Sequence, residues 1–325
     1  MLDNFSKKLL SELPWTNTYG VARSLMALST GLLLLINPSY FLFNLIPGGS
    51  FERICKVTGH SLNFFCIFPE YLNFVKIVAG IILLIIATGI YPRFTGVIHW
   101  WITLSFLCSA EVVNGGDQLA AVLTFFMLPI TLTDPRQWHW QVLDSNFIPT
   151  PSRALMGWWS LWVIRIQVCL VYFHAAAGKL RVNEWIDGSA LYYFFNHPVF
   201  GVPENYKPYI NPILYHGPLI ALMAWSVLAV EFFIAANLFS KPVFKPWALG
   251  LGIFFHTMTI FIHGLPSFAL VMYAALILFL VPIHSPRLTK ILLLITRRTT
   301  GSREISRSRS PLAARLIQDR HFTSV

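Results

Sequence analysis

The chain has 325 residues, of which 55% are hydrophobic and 12% charged, and its mean hydropathy is +0.61. Soluble domains carry about 25% charged residues, so this composition excludes a water-soluble globular protein and predicts that lipid surrounds most of the chain. The net charge of +10 is concentrated after residue 283, where nine Lys or Arg stand against two acidic residues. No aromatic platform or nucleic-acid motif accompanies this basic tail, so we expect it to contact anionic lipid and expect no nucleic-acid partner.

Eight apolar runs are long enough, or nearly so, to cross a hydrocarbon core about 30 Å thick. In chain order they are 20–46, broken near Asn37-Pro38, then 73–91, 95–113, 118–133, 157–178, 213–239, 247–262 and 266–283. The fourth and seventh are short, which leaves seven crossings or a re-entrant segment open. The sequence therefore predicts an all-α integral membrane protein, a polytopic helical bundle of about eight transmembrane helices.

The predicted organisation has three parts: an amphipathic N-terminal segment (1–19), a transmembrane domain (20–285) and a basic cytoplasmic tail (286–325). Residues 134–156 are expected to form a polar cytoplasmic connector. Eight crossings place both termini on one side, and the distribution of Lys and Arg predicts that this side is the cytoplasm.

Two cysteines, Cys55 and Cys66, lie eleven residues apart in the first predicted outer loop. An oxidising exterior would allow them to close a small loop through a disulfide, and two free outer thiols are the alternative. Cys108 and Cys169 fall within spans and are expected to be packing residues.

Ionisable side chains inside a bilayer are costly and usually face the bundle interior. Arg165 in the fifth span and Glu231 in the sixth lie at similar predicted depths, each eight residues from the inner end. Because sequential spans are antiparallel neighbours, we expect a structural Arg165–Glu231 ion pair that sets helix register.

A second polar group gathers towards the outer ends of three spans and in one tight turn. Its members are Glu111, Asp117, His174, Lys179, His256 and His263. His256 and His263 are two helical turns apart, about 10 Å along the axis, which is too far for one metal ion. We therefore expect no metal site, and interpret the group either as separate satisfied residues or as a polar pocket that opens outward.

The segment that contains Lys179, "YFHAAAGKLRVNEWIDGSALYY" (172–193), resembles the lysine-bearing segment of vitamin K-dependent gamma-glutamyl carboxylases and of the wider HTTM domain superfamily. In the same order along the chain, "NGGDQLAAVLTFFMLP" (114–129) is similar to the carboxylase segment that contains a functional histidine, and "FFHTMTIFIHGLPSFALVMYA" (254–274) is similar to a later histidine-containing helix. The opening "PWTNTYGVARSLMAL" (14–28) and the outer "CIFPE" loop most resemble the sporulation-delaying protein B family of bacterial membrane proteins.

The resemblance implies a residue set. In the carboxylases the lysine acts as a base towards reduced vitamin K, which assigns that role to Lys179, with Asp117 and His256 as polar partners. Asp117 falls near the position of the carboxylases' functional histidine, and Gly178 stands where they have a further lysine. The cofactor would be a reduced quinone of the vitamin K or menaquinone type, and its binding residues would be His174, Trp185, His263 and Glu111.

A lysine must be neutral to act as a base, and burial beside Ala175 to Ala177 would favour the neutral amine. Glu184 and Asp187, which follow closely in sequence, would favour the ammonium instead. The sequence alone leaves this balance open.

Three functional hypotheses follow. The first is a membrane component that matures a secreted peptide toxin (a bacteriocin) in the bacterial cytoplasmic membrane, together with a small partner protein and the toxin precursor, as the family resemblance implies. The second is a non-enzymatic scaffold that presents a precursor or a soluble partner through the aromatic loop 191–212. A transporter ranks last, because no pair of broken helices indicates inverted repeats, and no GxSxG element supports a protease.

Overall fold

The computed structural model describes residues 13–43, 51, 55, 62–143, 147–198 and 201–283. These residues form an all-α multi-pass architecture, as the sequence predicts. Its α-helices are α1 (Asn17–Ile36), α2 (Ser39–Leu42), α3 (Leu72–Ala87), α4 (Pro92–Ser109), α5 (Gly115–Phe126), α6 (Leu128–Thr133), α7 (Pro151–Lys179), α8 (Asn183–Ile186), α9 (Ala190–Phe195), α10 (Lys207–Leu214), α11 (Gly217–Ala236), α12 (Lys245–His263) and α13 (Pro266–Leu280). Two short 3₁₀ turns, Phe64–Cys66 and Pro69–Tyr71, precede α3.

Six segments of the described chain are long and apolar enough to span a membrane. They are Asn17–Ile36, Pro69–Ala87, Gly115–Thr133, Pro151–Lys179, Gly217–Ala236 and Lys245–His263. Helices α4, of 18 residues, and α13, of 15, correspond to the other two predicted spans. The multi-pass fold class is thus confirmed, while the count of eight crossings stays a prediction.

Proline and glycine set several helix ends. Helix α1 stops at Ile36 because the residue before a proline disfavours the helical conformation, and Asn37 is extended with ψ of 140°. Helix α12 ends at Gly264, which adopts a left-handed φ of 65°, and Pro266 then starts α13. The predicted first span therefore ends as a helix at the expected break.

Helix α13 lies in the middle of the bundle. It packs against α1, α5, α7 and α12, and its Val271, Ala274, Leu276 and Phe279 are all buried. A helix that is apolar on every side is stable where other helices surround it. The shortness of α13 therefore does not expose it to water, because neighbouring helices cover it.

Cys55 and Cys66 are joined by a disulfide, with their Cα atoms 5.6 Å apart. The bond lies within an apolar cluster that includes Phe43, Phe51 and Phe65. The segment before α3 also contacts α4, whose Ser105 hydroxyl accepts a hydrogen bond from the Phe64 N–H at 2.9 Å. This end of the bundle is called the disulfide end below.

We expect alkylation of the unfolded, unreduced protein to modify only two cysteines, Cys108 and Cys169, and to modify all four after reduction. Loss of the disulfide in Cys66→Ser should lower the free energy of unfolding by about 2–4 kcal/mol. Intact mass after alkylation measures the count. Four modified cysteines without reductant would contradict the disulfide.

A buried polar network closes the opposite end of the bundle. Arg136 donates from Nη2 and Nε to the Asp134 carboxylate at 2.8 and 2.9 Å, and both side chains are inaccessible to solvent. The Tyr19 hydroxyl donates to Asp134 Oδ2 at 3.1 Å. Burial, together with the positive charges of Arg23 and Arg136, lowers the pKa of His139 well below its usual range. A neutral His139 can therefore accept a hydrogen bond from Arg23 at Nδ1, 3.4 Å away.

This network includes residues of the polar connector predicted over 134–156. Asp134, Arg136 and His139 belong to that connector, and the structure buries all three. Helix α7 also begins at Pro151, six residues before the predicted span. The tail 286–325, and residues 1–12 of the N-terminal segment, lie outside the described residues.

Candidate functional site

Lys179, the last residue of α7, pairs with a carboxylate of α11. Its Nζ lies 2.7 and 2.8 Å from the two Glu231 oxygens and also donates to the Ala175 carbonyl at 3.3 Å. The Glu231 side chain is 6% exposed and that of Lys179 23%. A bidentate, mostly desolvated pair of this kind is a strong interaction that fixes both side chains.

The amine lies deeper than the end of its helix indicates. The hydrogen bond to Ala175 turns the lysine back along α7, towards the bundle interior. Glu231 is the fifteenth residue of α11, about 21 Å from its first residue at 1.5 Å per residue. The first two-thirds of α11 therefore extend past Lys179 rather than ending beside it.

Short helices cover this extension. Helices α8, α9 and α10 pack on the first half of α11 through an apolar cluster of Trp185, Leu191, Phe195, Leu214, Ile220, Ala224 and others. Gly188 has a φ of 85° and approaches Ala221 so closely that an added Cβ would lie 2.4 Å from the alanine Cβ. The segment is thereby held against α11 as a cap. Trp185 of the cap faces the amine, with Lys179 Nζ 5.3 Å from its ring centroid.

A buried imidazole and a phenol lie on the other side of the lysine. His256 Nε2 of α12 is 2.7 Å from the Tyr172 hydroxyl of α7, and both side chains are buried. His256 Nδ1 has no hydrogen-bond partner among the described residues. Electrostatic interactions couple Lys179 to His256 and Glu231 to Tyr172. We refer to Tyr172, Lys179, Trp185, Glu231 and His256 as the Lys179 cluster.

Asp117 has a structural partner instead. Its carboxylate accepts the Asn114 N–H at 2.9 Å, while the Asn114 side chain accepts from the backbone N–H groups of Gly116 and Asp117. This reciprocal arrangement is a capping box that starts α5. Asp117 makes no hydrogen bond or ion pair to the Lys179 cluster in the described chain. The two are linked through Phe268, which packs against Gly116 and against the His256 ring.

Of the four residues predicted to bind the cofactor, one lies in the Lys179 cluster and three do not. Trp185 joins the cluster, whereas His174 is exposed and its ring packs against Phe173. Glu111 is exposed, and its backbone N–H donates to the Leu42 carbonyl. His263 is half-buried with its ring 6.1 Å from that of Phe195 in the cap. Their roles in cofactor binding stay predictions.

The predicted Arg165–Glu231 ion pair is wrong. Glu231 pairs with Lys179, and Arg165 donates from Nε to the Leu278 carbonyl of α13 at 3.4 Å. The prediction placed the ends of the two predicted spans level with each other. In the structure, Cys169 Sγ meets the Ala235 carbonyl, so Arg165 lies one turn further, level with the end of α11.

The two acidic residues that follow Lys179 in sequence lie outside its ion pair. Asp187 accepts the Ser189 N–H at 2.8 Å, and hydrogen bonding from the Ser189 hydroxyl and from this N–H lowers the pKa of Asp187. Neither Asp187 nor Glu184 forms an ion pair with Lys179 in the described chain; Glu231 does so.

Tyr172 was missed by sequence reasoning, although a signal for it exists. Residues seven apart lie on one stripe of a helix, so Tyr172 and Lys179 share the inward face of α7. His174 is five residues from Lys179, which rotates it away from that face. Within the described residues, no three His, Cys, Asp or Glu side chains converge in a way that could hold a metal ion.

Comparisons with known proteins place this geometry in context. The model of the HTTM domain family matches residues 58–283. The chain is 40% identical over 277 residues to the uncharacterized protein YitO of Bacillus subtilis (strain 168), covering 84% of this chain and 87% of that one. It is 39% identical over 275 residues to the sporulation-delaying protein SdpB of the same organism, covering 83% of each. No solved structure matches the chain significantly.

Proposed function

The chain belongs to the HTTM domain family, and on that premise we propose that it is a membrane component for the maturation of a secreted peptide toxin, with chemistry at the Lys179 cluster. The observation that carries the proposal is the convergence of an amine, a carboxylate, a phenol and an imidazole from α7, α11 and α12. Buried ionisable groups are costly in a membrane protein and usually serve a function there. Similarity to a protein named for delaying sporulation supports the toxin pathway.

The ion pair suits proton transfer. The two Glu231 oxygens lie 2.7 and 2.8 Å from Lys179 Nζ, close enough to accept a proton from an ammonium there. Transfer of that proton converts the ammonium and carboxylate into a neutral amine and a carboxylic acid. The neutral amine can then remove a proton from a substrate group beneath the cap. Glu231 thus acts on Lys179, while Lys179 is the residue that would meet the substrate.

A reduced quinone is the cofactor class that the family resemblance implies. His256 Nδ1 is a buried nitrogen without a partner, beside the rings of Phe255 and Phe268, and this donor set suits a planar ring that bears hydroxyl groups. His256 and Lys179 would hold such a group. When bound, it would supply reducing equivalents for oxygen-dependent chemistry.

The alternative is a non-enzymatic scaffold. The cap and the turn that follows it expose several aromatic side chains, including Tyr193 at 60%, Tyr209 at 78% and Tyr215 at 71%. Exposed aromatic residues are typical of docking surfaces for peptides or soluble partners. In this reading the Lys179–Glu231 pair only anchors the cap.

The proposed setting is the bacterial cytoplasmic membrane, with both termini in the cytoplasm and the disulfide end outside. Disulfides form and persist in oxidising environments, so the Cys55–Cys66 bond favours that orientation. The lipid bilayer, a small partner protein and the toxin precursor are the proposed partners.

Deletion and complementation test the proposal. A host that lacks this gene, but expresses the toxin precursor and the partner protein, should export no mature peptide. Expression of the wild-type chain should restore the mature peptide, measured by mass spectrometry of the culture medium. Unchanged mature peptide in the deletion host would overturn the proposal.

A further inference from the structure

Arg165 lies midway along α7 but level with the ends of neighbouring helices. Three helix ends meet at its level: α11 ends at Ala236, α12 begins at Lys245 and α13 ends at Leu280. The Arg165 hydrogen bond to the Leu278 carbonyl falls in the last turn of α13. The side chain therefore lies at the ends of α11 and α13 that are opposite the disulfide.

The cation at this site has no anionic partner in the described chain. Nε of Arg165 donates a hydrogen bond to the Leu278 carbonyl, and the guanidinium carbon lies 5.5 Å from the Trp162 ring centroid. Its two Nη atoms make no hydrogen bond to a described residue. A guanidinium offers five N–H donors in a planar fork that matches a carboxylate or a phosphate.

A second cation lies nearby. Lys245, at the start of α12, is close enough to Arg165 for their positive charges to repel each other. No Asp or Glu pairs with either one among the described residues. Two like charges in partly desolvated positions need a counter-ion, and the N-terminus of α12 adds a partial positive charge.

The residues near Arg165 and Lys245 include tryptophans, which are typical neighbours of lipid headgroups. Trp162, whose ring lies beside Arg165, is 49% exposed, and Trp247, two residues after Lys245, is 71% exposed. Tryptophan prefers the headgroup level of a membrane, and basic pockets between helices bind anionic headgroups.

We propose that Arg165 and Lys245 bind the phosphate of an anionic phospholipid, with its acyl chains along the outer faces of α7 and α12. The site is distinct from the Lys179 cluster, which lies towards the disulfide end. Free phosphate has the same headgroup chemistry but lacks the acyl chains that would lie on these apolar faces. The lipid is therefore the proposed occupant.

Native mass spectrometry of the full-length protein, taken from nanodiscs with equal phosphatidylglycerol and phosphatidylcholine, tests the proposal. The wild-type protein should retain phosphatidylglycerol preferentially. Lys245→Gln and Arg165→Gln should each reduce that retention about five-fold, since each juxtamembrane cation contributes about 1 kcal/mol. Arg181→Gln, an exposed arginine near the disulfide end, is the matched control and should retain lipid as the wild type does.

A second arm separates the two sources of phosphate. Excess inorganic phosphate should leave the amount of retained phosphatidylglycerol unchanged. Displacement of phosphatidylglycerol by inorganic phosphate would show a site for free phosphate and overturn the lipid assignment. Equal retention of both lipids, or wild-type retention in Lys245→Gln, would also overturn it. Lys245→Gln removes a half-exposed side chain and should fold normally, which size-exclusion chromatography checks.

Discussion

Replacement of Lys179 by methionine should lower the yield of mature secreted peptide by about 10²–10⁴-fold, the usual contribution of a general acid or base. Methionine keeps most of the apolar stem but removes the amine that would take the substrate proton. The measurement is mature peptide per unit of membrane-inserted protein, with precursor and partner supplied in excess. Wild-type yield from Lys179→Met would leave only the scaffold hypothesis.

The single substitution also leaves Glu231 buried without a partner, which should destabilise the fold by about 3–5 kcal/mol. A paired variant, Lys179→Met with Glu231→Leu, removes both charges and should recover most of that stability. This double variant should stay inactive if the Lys179 amine acts as the base in the reaction. Recovery of maturation together with stability would show that the pair only anchors the cap.

The exposed pair Lys207–Glu204 is the matched control, since it joins the same residue types at i and i+3 on the surface. Its removal by Lys207→Met with Glu204→Leu should change stability by at most about 1 kcal/mol. Because this pair flanks the exposed tyrosines, the scaffold hypothesis predicts that its loss impairs maturation. The catalytic hypothesis predicts no effect, so the two variants together separate the hypotheses.

Replacement of Asp134 by alanine should lower the free energy of unfolding by about 3–5 kcal/mol, because it leaves the fully buried Arg136 guanidinium without its carboxylate. The same change removes the acceptor of the Tyr19 hydroxyl at 3.1 Å. Thermal unfolding of the purified protein in one detergent, compared with wild type, gives the measurement.

Glu204→Ala is the control for this prediction, because it removes a carboxylate that is 87% exposed, and it should leave the unfolding temperature nearly unchanged. Maturation per folded molecule should also be unaffected in Asp134→Ala, since Asp134 lies at the end of the bundle away from Lys179. A stable Asp134→Ala protein would show that the network does not support the fold.

The sequence could predict some residues of the Lys179 cluster but not how they pair. Lys179, His256 and Trp185 are recognisable because their segments resemble those of a family with a catalytic lysine. Glu231 was recognised as a buried acid, but its partner was not. The choice between Arg165 and Lys179 depends on how far α11 extends past the end of α7, a distance of about 21 Å from its first residue to Glu231.

Asp117 was included among the predicted partners of the lysine, and Tyr172 was left out. Asp117 was predicted as a polar partner of the lysine, but its carboxylate caps its own helix, a local contact that the Asn-Gly-Gly-Asp order itself encodes. Tyr172 was overlooked because its spacing of seven residues from Lys179 shows which way it faces but not what it contacts. Only its position opposite His256, 84 residues later in the chain, gives it a role.

The amino-acid sequence by itself determined the solvent, the fold class and most helix ends, because these depend on local properties: apolar length, proline and glycine positions, and charge content. The tertiary structure alone decided that Glu231 pairs with Lys179 and not with Arg165, since these partners lie on different helices and a shift of one turn, about 5.4 Å, exchanges one partner for another. Burial of Asp134, Arg136 and His139 was decided in the same way, because a polar connector becomes an interior only when helices close around it.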